Sequence, residues 1–339
     1  MIAPRHAHAW IAPLALLAAV SCAAAFASRV AKPGLLRPAE RPWASHGDPS
    51  VRTGPDAYPR TAIGADGVEV RLAAPPRRLV SAVGSIDEFL YLVAPPERVV
   101  GVSESAYLRR LSNVYLPAER FQPAVVATAG GTDVERVLRA NPDLFVTSYV
   151  ARADTVELLR TAGVPTYRMF TDFTRLEQIE DHIRLVGYLT GEDARALVEA
   201  QRFRDAIARA AAKRRPGARP RVLGLGGIYS YGSQTLFHDI CRVLGAENVA
   251  ATHGLREYER VGAEQIVRWD PEWIITGAEV GKTDETLARL RADPAIGATS
   301  AAEHGHIVVL EYRVFLPLSP YTALLVEALA DALYGKAAA

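Results

Sequence analysis

From about residue 60 the hydrophobic pattern switches repeatedly between two periods. Short apolar runs bounded by glycine, proline or acidic residues predict strands over 78–83, 98–102, 144–147, 166–169, 221–225 and 307–310. Between them, apolar residues recur every three to four positions, which predicts helices over 86–93, 155–162, 176–189, 236–244, 283–291 and 321–333. Strands alternating with helices imply parallel sheets covered by helices. One stretch differs. Over 192–213 nothing breaks the helical pattern, and Leu197, Ala200, Phe203, Ile207 and Ala210 form its apolar stripe. At 1.5 Å per residue this is a rod of about 33 Å, with Thr190 as its expected N-cap and the run from Arg214 to Pro220 as its stop.

The chain also says one phrase twice. Thr132-Asp-Val-Glu135-Arg-Val-Leu-Arg-Ala-Asn141-Pro142-Asp143 leads into Leu144-Phe-Val-Thr147. Val261-Gly-Ala-Glu264-Gln-Ile-Val-Arg-Trp-Asp270-Pro271-Glu272 leads into Trp273-Ile-Ile-Thr276. Each reads as a short helix, a stop before proline and a buried strand, with a first-turn glutamate suited to the positive end of the helix dipole. One copy per half-chain predicts a duplicated architecture: two Rossmann-like α/β lobes with parallel sheets joined by the long rigid helix.

The N-terminus sets the expected compartment. Arg5 and an apolar run over 11–20 precede small residues, the arrangement of an export signal. Ala25-Phe26-Ala27 fits ordinary cleavage, and Ala19-Val20-Ser21-Cys22 fits a lipobox that would leave Cys22 as a lipid anchor. Six prolines between 30 and 59 predict a disordered tether. Asp66-Gly67 then announces a hairpin into a strand over 68–72. The division expected is signal 1–27, tether 28–60, first lobe 61–173, helical connector 174–216 and second lobe 217–335. Totals exclude rather than identify. With 339 residues, 49% apolar, 23% charged and a net charge of +1, the chain gives no global reason to bind nucleic acid. Two cysteines, Cys22 and Cys241, cannot form a disulfide framework.

Taken together, Pro76-Arg-Arg-Leu-Val80, Arg98-Val-Val-Gly-Val102, the two phrases, Leu189-Thr-Gly191 and Gly245-Ala-Glu-Asn-Val-Ala250 carry a resemblance. The chain resembles the periplasmic substrate-binding proteins of ABC importers for iron–siderophore, haem and vitamin B12, whose two lobes are linked by a single helix. The resemblance implies a non-enzymatic, monomeric receptor in the periplasm or cell envelope. It would need no cofactor or metal of its own, and would pass an iron chelate, haem or cobalamin to permease subunits. It also implies that Glu135 and Glu264 pair with permease arginines. Either glutamate alone would be an ordinary solvated acid; occurrence at matched positions favours docking.

Ligands of open α/β sheets bind beyond the carboxyl ends of the strands. The residues expected there are Ser85, Tyr107, Tyr149, Tyr229, Tyr231, Tyr312 and Arg313, with Tyr107, Tyr229 and Tyr231 foremost. Phenols can stack on a planar chelate, hydrogen-bond it or ligate ferric iron, and Arg313 can meet a carboxylate. An exported α/β enzyme is the competing class. However, Gly224-Leu-Gly226-Gly227 lacks the third glycine of a dinucleotide loop, no nucleophile elbow is complete, and no H-E-x-x-H occurs. His304 and His306 read as a loop pair, and Cys241 as core.

Overall fold

The computed structural model describes residues 58–315 and 317–335. The expected signal, Cys22 and nearly all of the proline-rich tether lie outside them. The tether was expected to reach residue 60, but Arg60 already belongs to strand β1 (Arg60–Ile63), which pairs antiparallel with β2 (Glu69–Leu72) around the Asp66-Gly67 turn. Arg60 is buried between the rings of Tyr58 and Tyr188, and its Nη1 donates to Asp193 Oδ2 at 2.7 Å. A buried guanidinium with a carboxylate partner fixes this hairpin against the connector.

Two sheets follow. The first has the order β6-β5-β4-β3-β7-β8, built from β3 (Leu79–Ser81), β4 (Val99–Ser103), β5 (Ala124–Thr128), β6 (Gly131–Thr132), β7 (Leu144–Ser148) and β8 (Thr166–Met169). Only β6 runs antiparallel. Its helices are α1 (Gly84–Val93), α2 (Tyr115–Phe121), α3 (Val134–Arg139) and α4 (Ala153–Thr161). The connector is α5 (Leu176–Thr190) and α6 (Asp193–Ala212).

The second sheet holds β9 (Arg221–Gly226), β10 (Tyr229–Tyr231), β11 (Glu247–Asn248), β12 (Tyr258–Arg260), β13 (Trp273–Ala278) and β14 (Ile307–Glu311). Around it lie α7 (Leu236–Val243), α8 (Val249–Thr252), α9 (Ala263–Trp269), α10 (Thr283–Ala292), α11 (Pro294–Gly297), α12 (Ser300–Glu303) and α13 (Thr322–Tyr334). The parallel set β11-β9-β13-β14 repeats β4-β3-β7-β8 strand for strand. The segment 226–232 contains β10, an antiparallel ribbon between β9 and β12.

The repeated phrase folds the same way in both halves. Each helix ends on a left-handed residue before proline, Asn141 (φ 46°) and Asp270 (φ 43°). Asn and Asp tolerate that conformation best, and the following proline disfavours continuing the helix. The acid after each proline accepts from backbone N–H groups at the start of the first strand: Asp143 from Arg77 and Arg78 (2.7 and 2.8 Å), Glu272 from Arg221 (3.0 Å). In return, Arg78 donates to the carbonyls of Ala140 and Asn141, and Arg221 to those of Trp269 and Asp270. The last carbonyls of each helix thus find donors.

The rod is 20 residues, about 30 Å. Its buried stripe is Ala196, Ala200, Phe203, Ala206 and Ala210, so Leu197, expected inside, is exposed. Thr190 does not cap it. That hydroxyl donates back to Val186 O within α5, and Gly191 (φ 77°) makes the turn. One apolar cluster runs from the first lobe through α5 and α6 into α7 and α13 of the second. The small stripe allows close approach: a Cβ at Gly187 would stand 2.2 Å from that of Ala196. Gly187→Val is therefore expected to lower stability by about 1–3 kcal/mol, read as a reduced urea midpoint at unchanged slope.

Candidate functional site

Because the C-terminal ends of α3 and α9 are tied to the starts of β3 and β9, their first turns lie at the other end, where the strands finish. Glu135 and Glu264 stand on those turns. Both are exposed and make no side-chain hydrogen bond or ion pair among the described residues. The same end carries the loops expected to bind ligand.

On the first lobe, the Gly84-Ser85 turn meets the loop after β4 directly, since a Cβ at Gly84 would stand 2.7 Å from Ser105 Oγ. Under this contact lies Asp87, fully buried. It accepts from Ser81 Oγ, from Ser103 Oγ at 2.6 Å and from Ser103 N at 3.1 Å, and Ser103 Oγ also contacts Ser105 Oγ at 2.7 Å. Burial pushes the Asp87 carboxyl up to about 7, against the hydrogen bonds, which pull it down. Tyr107 is half-buried, its hydroxyl donating to Pro123 O at 2.7 Å, so its oxygen holds the loop. Tyr149 packs on Phe170 with ring centres 4.8 Å apart.

On the second lobe, Tyr229 is half-buried under the Arg260 guanidinium, 5.8 Å from the ring centre. Tyr312 lies over Gly277, where a Cβ would stand 2.6 Å from the ring. Arg313 is not a free cation, because its Nε donates to Glu311 at 2.7 Å. Tyr231 corrects the expectation. Its side chain is buried among Phe237, Tyr258 and Phe315, so it supports the wall rather than forming its face.

The structure adds Tyr258, which the sequence pattern did not single out. Burial raises both Tyr149, to about 12, and Tyr258, and the Asp172 carboxylate raises both further. Asp172 follows β8 of the first lobe, and Tyr258 opens β12 of the second, so the two lobes approach here. They also touch where Asn113 Nδ2 donates to Arg313 O at 2.9 Å. Tyr107, Tyr231 and Tyr312 are likewise raised, first by burial. These phenols stay protonated at neutral pH. They can stack and donate hydrogen bonds, but loss of the proton to an iron is disfavoured unless the metal itself offsets the burial.

Among the described residues no group of three or more His, Cys, Asp or Glu could hold a metal ion, and no helix is long and apolar enough to cross a membrane. Cys241 is buried in the core, its thiol pushed up by burial. His306 stacks flat on Trp273 at 3.9 Å.

Residues 79–314 match a family model described as periplasmic binding protein. The chain is 29% identical over 282 residues to the cobalamin-binding protein of Halobacterium salinarum, covering 80% of this chain and 72% of that one. It is 23% identical to the uncharacterized ABC transporter substrate-binding lipoprotein YvrC of Bacillus subtilis, covering 85% and 89%. Its fold is similar to that of the apo periplasmic heme-binding protein RhuT from Roseiflexus sp. RS-1, with a TM-score of 0.63, 26% identity, and coverage of 76% and 97%.

The buried Asp87 makes a pH prediction. In the fold it keeps its proton at pH values where the unfolded chain has lost it, so its contribution to stability declines as pH rises from the free carboxylate range towards about 7. Glu88, also raised by burial, acts in the same sense. The urea midpoint should fall between pH 5 and about 8, and Asp87→Asn should flatten that fall. Identical profiles for the two proteins would contradict this.

Proposed function

We propose that this chain, which belongs to the periplasmic binding protein family, is the substrate-binding component of an ABC importer for a bulky metal chelate. The observation that carries the reading is the duplication itself: one exposed, unpaired glutamate per lobe, both at the end where the strands finish and the ligand loops gather. The cargo read from the wall of neutral phenols, which suits a large partly apolar ligand, is a ferric siderophore or haem. Cobalamin is a second reading, favoured by the 29% identical cobalamin-binding relative. The protein would be exported by its N-terminal signal, with or without a lipid on Cys22, and would act as a monomer on its permease.

Thermal shift against haem, cobalamin and several ferric siderophores separates the ligands, because a ligand that binds only the native state raises the melting temperature. A rise with haem or a ferric siderophore is expected. A rise with cobalamin alone would replace the first reading by the second, and no rise with any would overturn both. Docking is tested separately. Glu135→Ala combined with Glu264→Ala should abolish uptake in cells while leaving ligand affinity unchanged. Undiminished uptake would remove these glutamates from the docking surface.

A further inference from the structure

Besides Asp87, two buried carboxylates among the described residues belong neither to the phenol wall nor to the docking glutamates. Glu88 lies on α1 and Asp239 on α7, the first helices after β3 and β9, five and four residues beyond their N-caps Val83 and Thr235. They are 4% and 5% exposed. An acid on a helix face shared with Ile86, Phe89 and Leu90, or with Leu236, Phe237 and Ile240, is costly to bury unless its oxygens are fully engaged.

Each engages groups outside its own lobe. Glu88 Oε2 accepts from Ser319 Oγ, in the segment before α13. Its Oε1 accepts from Asn113 N at 2.8 Å and Asn113 Nδ2 at 3.0 Å, and that amide also donates to Arg313 O. Asp239 Oδ2 accepts from Leu176 N at 2.9 Å, a first-turn N–H of α5 that has no acceptor within its own helix. Its Oδ1 takes Nε and Nη2 of Arg242 at 2.9 and 2.8 Å. The first lobe thus holds the second through Glu88, and the second holds the connector through Asp239.

We propose that Glu88 and Asp239 form a reciprocal clasp: they are positioning residues that fix how the two lobes are set about the rod. The rod sets a length. The apolar seam along it is non-directional and does not by itself select one rotation of the lobes. Buried hydrogen bonds with defined geometry do, and here they come from duplicated helices at both ends of the contact. The clasp thereby fixes the gap between the tyrosines of the two lobes and the separation of Glu135 from Glu264.

The test reads lobe setting directly and uses neither ligand nor partner. Spin labels are placed through Leu138→Cys and Val267→Cys, exposed positions one turn beyond each docking glutamate, in a chain carrying Cys22→Ser. Buried Cys241 does not compete for label. The parent chain should give one narrow interspin distance. Glu88→Ala and Asp239→Ala should each broaden it and shift it by several ångströms, while Glu88→Gln and Asp239→Asn, which keep an acceptor oxygen, should restore the narrow peak. Should the alanine variants fail to fold, Ser319→Ala and Asn113→Ala remove the donors from the other side and should broaden the peak in the same way. A narrow, unshifted peak in a folded variant that lacks these contacts would overturn the clasp, whatever the protein carries.

Discussion

An arginine at the foot of each sheet determines much of what this molecule can present. Arg78 and Arg221 satisfy the last carbonyls of α3 and α9, and the acids Asp143 and Glu272 return the favour to the strand backbones. Buried or half-buried carbonyls at a helix end must find donors, and a guanidinium can serve two at once. The consequence is directional. With their C-termini held at the starts of the strands, both helices can only begin where the strands finish. Glu135 and Glu264 are carried there with them, onto the face that holds the loops proposed to bind ligand.

The second constraint is the continuity of the apolar core. A chain of two lobes joined by a flexible segment would close over its ligand by hinging. Here the joining helix is itself a core element, with its alanines packed on α5 at a distance that only Gly187 allows. Large closure would have to expose that seam, which costs roughly 25 cal/mol for each Å² of apolar surface returned to water. The expectation that recognition uses a largely preformed cleft rests on that cost. Asp172 beside Tyr258 and Asn113 on Arg313 bring the lobes together.

The chemistry of the proposed binding face follows from burial. Each shifted tyrosine along it is pushed upward, so the wall is a set of neutral hydroxyls and ring faces rather than a set of anions. The charged groups near them are largely engaged, Arg313 by Glu311 and Arg260 by the Tyr229 ring. Such a surface discriminates by shape and stacking more than by net charge.

The strand–helix alternation, the duplicated phrase, the rod and the two first-turn glutamates are legible in the order of the residues alone. Each of those is a local periodicity or a local stop signal, and local signals survive in one dimension. The loops proposed to bind ligand follow from the same reading, because topology puts them at the strand ends. Which side chains of those loops face outward is set by packing between segments far apart in the chain. Tyr231 and Tyr229 are two residues apart on one strand, yet Phe237, Tyr258 and Phe315 cover the first and not the second. A one-residue rotation of the rod exchanged Leu197 for Ala196 at the seam, which periodicity alone does not resolve because both fit a three-to-four spacing. The partners of Glu88 and Asp239 lie as much as 231 residues away. Nothing in the neighbourhood of either acid in the chain encodes such a pairing, since the cost of burying a charge and the hydrogen bonds that offset it arise only once distant segments have been packed together.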